Sequence, residues 1–485
     1  MRLKNLFDAK TVFSTFKGTL VGVGLTAFPR IVPAYFIKDY RLITLRNTQD
    51  LPLIREKVPV FCLEEEVAPD RVGGIARSDA LLAQEPVKAH LSSFPEPRSL
   101  FVYQSYPSLE RMATREGWRL LANPSQLRLR VGHRSFFMRM VKRLELPAIP
   151  GAIHPIEVLS LKDYTDWVDS LGPEMVIQLP DVRQGGGRGT FFIRSKGDYD
   201  GIIEKLRAGH WRENTLESVS IRKLIHGVSA SMAVCLTRYG VLMSGLQRQL
   251  VDLPYVRGES EDGIFCGHSW GEDPWNRATR LSAANQARRI GSYLWDMGVK
   301  GIIGIDFIVD ERDQTPYPVE INPRLTGAFP MMSLLHLKDG RLPMEVFHML
   351  ELLDMPYSMD VGELNEQYAL PLKGSHLLIF QLSGEKKITG WGVKPGLYEL
   401  DRDPHAPEFV RPASSYEDFQ NERQFIVIDG PPHASDTDRV FKDSLFRLCH
   451  LLFPYSVIDP KGDLLPHAHV AAQWVHRRLT REKRR

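Results

Sequence analysis

Hydrophobic and polar positions along this chain follow two periods, and the switches between them mark out its parts. Short apolar runs at Thr19 to Leu25, Leu42 to Leu45, Val58 to Leu63 and Ser99 to Val102 are separated by longer helical or irregular connections. Such runs predict a parallel sheet covered on both faces. From Ser135 the period becomes helical. Within Asn123 to Pro150, Phe136, Phe137, Met140, Val141 and Leu144 form the stripe of one helix, with Ser135 as its cap and Pro147 and Pro150 at its exit. Met175 to Leu179 and Thr190 to Ile193 read as strands joined by a glycine-rich stretch. Val219 to Gly245 reads as three strands with turns at Gly227 and Gly240. Trp275 to Met297 repeats Ala283, Ala287, Ile290 and Leu294 near helical spacing. Past Gly374, strands are expected at Ser375 to Leu382, Lys387 to Val393 and Gln424 to Ile428, then a helix over Val440 to Leu452. The pattern divides the chain into an N-terminal α/β domain (1–124), a central α+β domain (125–360) and a β-rich C-terminal domain (374–485) whose end, His476 to Arg485, is a basic tail.

Composition narrows the class. The chain has 485 residues, 43% hydrophobic and 25% charged, which is ordinary for globular domains. A net charge of +3 is too small to argue for nucleic acid. Cys62, Cys235, Cys266 and Cys449 form no CxxC pair, which argues against structural zinc and a disulfide framework and fits a reducing, cytoplasmic setting. The longest apolar run, Thr19 to Ile37, is broken by Pro29, Arg30 and Pro33, so no membrane span is expected. Gly22, Gly24 and Pro29 do not complete a dinucleotide fingerprint; they fit a strand end with a turn, or a loop on the substrate side.

The chemistry concentrates in Gly301 to Pro330, GIIGIDFIVDERDQTPYPVEINPRLTGAFP. Two strands flank a short polar loop, and in a symmetric hairpin Asp306 sits opposite Glu320. Alternation then places Glu320, Asn322 and Arg324 on one side. Two such carboxylates cannot both stay charged without a cation between them. An all-oxygen set suits Mg²⁺, which leaves its other positions to water and phosphates, and Arg324 beside it suits an anion. Upstream, Gly185, Gly186, Gly187, Arg188 and Gly189 lie between strands, as a flap over phosphates would, and no Walker lysine follows. Ile221 to Ile225 offers backbone groups to an adenine edge, and Arg134 at a helix start is a candidate phosphate contact. His226 and His268 read as structural.

This order of elements, closing on G-I-D-F and V-E-I-N-P-R, resembles the ATP-grasp superfamily over roughly residues 125 to 350, with the N-terminal part similar to the domain that precedes it there. The resemblance implies ATP between two subdomains and Mg²⁺, with Mn²⁺ as the alternative ion, on Asp306, Glu320 and Asn322. It implies nucleotide contacts from Arg134, Gln178, Gly185 to Gly189 and the Lys223, Leu224 and Ile225 backbone, with Arg324 and Arg248 as catalytic cations. The activity implied is ADP-forming ligation of a carboxylate, through an acyl phosphate, to an amine or thiol. Both substrates are then small molecules, and a homodimer is the default assembly. Gln178 stands where the pattern has a basic residue, Arg134 where it has lysine, and Ser229 where it often has an acid. The rival readings are a carboxylase or phosphoryl transferase of the same fold, and a nucleotide-binding regulatory module without turnover.

Overall fold

The computed structural model describes residues 1–68, 72–180, 189–206, 209–211, 214–256, 263–271, 274–381, 393–400, 407–433 and 446–480. The N-terminal part builds a parallel sheet from β1 (Thr19–Gly24), β2 (Arg41–Thr44), β3 (Val60–Cys62), β4 (Arg98–Phe101) and β5 (Trp118–Leu120), in the order β3-β2-β1-β4-β5. Leu20 and Val21 on β1, with Leu42 and Ile43 on β2, are buried on both faces of the sheet. The chain winds outward from β1 to β3 and returns to the other side of β1 with β4. The carboxyl ends of β1 and β4 therefore flank a topological switch point, where ligands of open α/β sheets bind.

A small antiparallel sheet follows, from β6 (Gly151–Pro155), β7 (Met175–Gln178), β8 (Thr190–Ile193) and β9 (Ser218–Lys223), in the order β6-β9-β7-β8. Ile177, Ile193, Val219 and Ile221 pack with Trp167, Leu171, Tyr199 and Ile203 from two helices. The alternate residues Gln178, Ser220 and Arg222 point to the opposite face.

Apart from the short antiparallel pair His210–Trp211 and Asn214–Thr215, the remaining strands join one antiparallel sheet: β10 (Gly227–Thr237), β11 (Gly240–Met243), β12 (Gln247–Val251), β13 (Phe265–Trp270), β14 (Gly301–Asp310), β15 (Pro316–Asn322), β16 (Gly374–Gln381), β17 (Gly396–Glu399), β18 (Glu408–Arg411), β19 (Gln424–Ile428) and β20 (Phe446–Phe453). Their order is β15-β14-β10-β12-β13-β16-β20-β19-β17-β18, with β11 paired to β10. Strands from the central and C-terminal parts thus share one sheet. One face packs Met232, Ile303 and Ile305 against the helix Arg277–Asp296, and Ile379 and Leu451 against the helix Pro466–Thr480. The other face packs Ala233, Ile302 and Ile428 against the helices Met331–Lys338 and Met344–Leu353 and the N-terminal part. At one edge, β15 carries Pro316 and Pro318, which cannot donate to a further strand.

A buried polar row crosses the second face. Ser231 Oγ lies 3.3 Å from His268 Nε2, and His268 Nδ1 lies 3.0 Å from His376 Nε2. His450 Nδ1 follows, 2.9 Å from Asp429 Oδ2. Asp429 also accepts from Thr26 Oγ1 at 2.6 Å and from Arg447, and its N–H donates to Asp50 Oδ2 at 2.9 Å. Burial works to raise the Asp429 pKa, but Arg447 and His450 hold it well below the carboxylate range. Burial without such partners pushes Asp50 up to about 6. The four cysteines are free and buried. Among the described residues no helix is long and apolar enough to cross a membrane.

Three expectations change. The segment from Asn123 holds two helices, Ser125–Val131 and Arg134–Arg143. Gly132, a poor helix former, separates them, and the second is capped by His133, whose Nδ1 accepts the Ser135 N–H at 3.2 Å; Ser135 itself lies inside the helix. Of the run assigned to a helix over Val440 to Leu452, positions 440–445 lie outside the described residues, and the rest belongs to strand β20, buried from Leu448 to Phe453. A run covered on both faces carries no period that separates strand from helix. The start of the basic tail belongs to the helix Pro466–Thr480, with Val475 and Leu479 in the core. The strand expected at Lys387 to Val393 lies outside the described residues up to 392.

His336 is fully buried, and neither ring nitrogen has a hydrogen-bond partner among the described residues. Burial, then Arg341, holds its pKa down to about 3. Between that value and the ordinary 6.5, the unfolded chain binds a proton that the folded chain does not, so stability is lost as pH falls below 6.5. His336→Leu should add roughly 1–3 kcal/mol at neutral pH by removing two unsatisfied polar atoms, and should reduce the fall in melting temperature between pH 7 and 5. Thermal unfolding followed by circular dichroism at both pH values checks this; a lower midpoint with an unchanged acid slope would count against it.

Candidate active site

The β14–β15 hairpin places Gly304 opposite Asn322, Ile305 opposite Ile321 and Asp306 opposite Glu320; a bulge after Asp306 then sets Phe307 against Pro318. Asp306 is half-buried and accepts bonds from Gln249 Nε2 and Asn322 Nδ2, both at 2.8 Å. Asn322 Oδ1 accepts from Arg324 Nη2 at 3.0 Å. Arg324 also donates to Leu325 O at 3.0 Å and to the Tyr103 hydroxyl, with its guanidinium 4.9 Å from the Tyr103 ring centre. Glu320 is exposed and bonded to no described residue. Burial and the Glu320 charge raise the Asp306 pKa; Arg324, Gln249 and Asn322 act against them. The excess of negative charge between Asp306 and Glu320 is what a cation would relieve.

Two guanidiniums lie within electrostatic range of Glu320. Arg134 opens the helix Arg134–Arg143, and its Nη1 donates to Val319 O at 2.7 Å. Burial lowers its pKa against the pull of Glu320. Arg222, on the polar face of the small sheet, is 7% exposed. Its Nη2 donates to Gln178 Oε1 at 2.5 Å, while its Nε is buried without a partner. Burial and repulsion from Arg134 bring the Arg222 pKa down to about 9, again with Glu320 in opposition. A buried cation with an orphaned donor, beside a second cation, suits an anion with several acceptor oxygens.

The donor set fits Mg²⁺. It offers two facing carboxylates and an amide oxygen that Arg324 now engages. Among the described residues no three His, Cys, Asp or Glu come together, so a cation here must draw further oxygens from water and phosphate, as Mg²⁺ does.

The other expected residues fall as follows. Gln178 is fixed between Arg222 and Thr190 Oγ1, to which its Nε2 donates at 3.2 Å. Gly189 sits at φ +80°, where a side chain would be strained, and its C=O accepts the Leu179 N–H at 2.9 Å. Lys223 and Leu224 spend their N–H groups on Pro150 O and Glu174 O, at 2.9 and 3.1 Å, and Ile225 is buried. Gly185, Gly186, Gly187 and Arg188 lie outside the described residues. Arg248 is not brought to Asp306: among the described residues its side chain forms no hydrogen bond, packs against Gly462 and feels the charge of Asp459. Its neighbour Gln249 makes the contact instead, because successive strand residues face opposite ways.

Sequence reasoning missed Arg222, Gln249 and Tyr103. A charged residue inside an apolar strand was the available signal for Arg222. Nothing local marks Tyr103, which reaches Arg324 only through the packing of β4 beside the hairpin.

Known proteins share the fold that positions these residues. Residues 184–328 match the model of the ATP-grasp domain, so the chain carries an ATP-grasp domain over that stretch. Its fold is shared with a biotin carboxylase–β,γ-ATP complex from Campylobacter jejuni (TM-score 0.58, 11% identity, covering 90% of this chain and 87% of that one). The biotin carboxylase domain of Hydrogenobacter thermophilus 2-oxoglutarate carboxylase, a dimer with MgADP, ADP and bicarbonate, is similar (TM-score 0.56, 12% identity, 91% and 87% covered). So is carboxyaminoimidazole ribonucleotide synthase from Aspergillus clavatus with ATP (TM-score 0.52, 13% identity, 95% and 99% covered). No curated protein matches the sequence.

Arg222→Met keeps the aliphatic stem and removes the buried charge with its orphaned Nε. In ligand-free buffer the variant should melt no lower than the wild type, and sodium sulfate at constant ionic strength should stabilise the wild type more. Thermal unfolding with sulfate against chloride checks both; equal sulfate effects would show that Arg222 faces no anion site.

Proposed function

We propose that the chain is an ATP-dependent, ADP-forming ligase that activates a carboxylate as an acyl phosphate and joins it to an amine or other nucleophile. The observation that carries this reading is the register of Asp306 against Glu320, with Asn322 and Arg324 in contact beside them and Arg134 and Arg222 within electrostatic range of Glu320.

Asp306, Glu320 and Asn322 would hold Mg²⁺, which when bound with ATP supplies charge neutralisation for phosphoryl transfer. Arg134 and Arg222 direct positive charge at the phosphate end, and Gln178 fixes the Arg222 guanidinium. Arg324, steadied by Asn322 and Tyr103, receives the substrate carboxylate. Holding donor and acceptor in line accounts for most of the rate in such transfers, so no Ser, Cys or His nucleophile is required. The flap residues Gly185 to Gly189 and the Lys223 to Ile225 segment complete the nucleotide end of the reading, and a homodimer is its expected assembly. The regulatory-module reading draws on Gln178, which is uncharged and already bonded on both sides.

ADP release with MgATP over a pool of amino acids and small carboxylates separates the two. A substrate-dependent signal that Glu320→Gln lowers by about 10²-fold or more supports the ligase, since it removes one of two charged ligands. Mg²⁺-dependent ATP binding with no release for any acid would favour the module. ATP binding unaffected by Glu320→Gln would sink the metal assignment.

A further inference from the structure

On the far side of Arg324 the switch point of the parallel sheet holds another cation. Arg30 ends the short helical turn Phe28–Arg30 that follows β1 and is only 6% exposed. Its Nε donates to Val23 O at 3.3 Å and its Nη1 to Pro29 O at 2.7 Å, both neutral backbone acceptors. No described carboxylate pairs with it. Asp429 and Glu345 act on its charge from a distance, and each is committed elsewhere: Asp429 to Arg447, Thr26 and His450, and Glu345 to Ser333 Oγ at 2.6 Å. A guanidinium held in the interior without a counter-ion is costly to keep and is what an anion-binding site requires.

Its surroundings aim it at the reaction. The Arg30 guanidinium carbon lies 5.8 Å from the centre of the Tyr103 ring, and that of Arg324 lies 4.9 Å from the same ring. Tyr103 follows β4 and is 38% exposed, so this shared ring is open to a ligand. From Tyr103 the contacts run through Arg324 and Asn322 to Asp306. The crevice thus has one cation beside the candidate metal carboxylates and a second, independent one at the carboxyl end of β1, where open α/β sheets take their ligands.

The geometry points to a substrate acid that carries a second anionic group, with its reacting carboxylate at Arg324, its second anion at Arg30 and Tyr103 as the surface between them. The reacting end rests on the ligase reading; the Arg30 end is a binding site that stands or falls by itself. Carboxylate and phosphate share the chemistry that Arg30 recognises.

Titration calorimetry with propionate, succinate and 3-phosphoglycerate, in buffer containing MgADP, tests it. Succinate or 3-phosphoglycerate should bind at least about tenfold more tightly than propionate, the effect of one charge-assisted contact, and the better of the two identifies the second group. Arg30→Met should abolish the advantage and leave propionate unchanged, Arg30→Lys should retain part of it, and Tyr103→Leu, at an exposed position, should weaken both dianions. Equal binding of the three probes, binding of none, or an advantage that survives Arg30→Met would overturn the inference. If Arg30→Met does not fold, an undiminished advantage in both Arg30→Lys and Tyr103→Leu overturns it. ADP release on the same samples separates the two readings. A dianion preference without release ends the ligase reading alone, and release without such a preference ends this one alone.

Discussion

The carboxylate of Asp429 is fully buried and takes bonds from two distant parts of the chain. Thr26 reaches it from the loop after β1, and Arg447 and His450 reach it from β20, while its own N–H goes to Asp50. Gln49 adds a backbone bond to Pro431 O at 3.0 Å beside it. Because a buried charge that loses its partner costs about 3–5 kcal/mol, the loop carrying Thr26 and Arg30 is held against the end of the large sheet. The same sheet runs through β13, β12 and β10 to β14 and Asp306. The position of Arg30 relative to Asp306 therefore follows from one saturated carboxylate and one continuous hydrogen-bonded ladder.

The charges in the cleft are of the opposite kind. Among the described residues Glu320 and Arg30 form no ion pair, and Arg222 bonds an amide and feels Glu320 only from a distance. Asp429, Glu351 and Glu64 are paired, the first fully enclosed and the others nearly so. A chain selected for stability alone would neutralise both sets alike. The contrast marks the cleft as the place where stability is given up for binding.

Much of the hairpin was legible because its information is local. A short polar loop between two apolar strands fixes its own centre, and with it the pairing of Asp306 with Glu320. The strands of the parallel sheet were legible for the same reason, as each is an unbroken apolar run. Gln249 and Arg222 were not, since which face of a strand meets the site depends on sheets brought together from far apart in sequence. Arg248 looked the better candidate by charge, yet the pleat turns it away. Strand β20 was unreadable as a strand because both of its faces are covered, and the His133 cap was hidden because Ser135, two residues too deep, is the commoner capping type.

The hairpin that carries Asp306 and Glu320 is also the rim of an eleven-stranded sheet. A long strand with a free flank is the usual template for pairing between molecules, the first step toward fibrils. Here Pro316 and Pro318 withhold two donors along that flank, and Arg134 covers the carbonyl of Val319 between them and Glu320. The strand that must stay open to small ligands is thereby closed to other polypeptides, so the protein can keep it at its margin without inviting self-assembly through it.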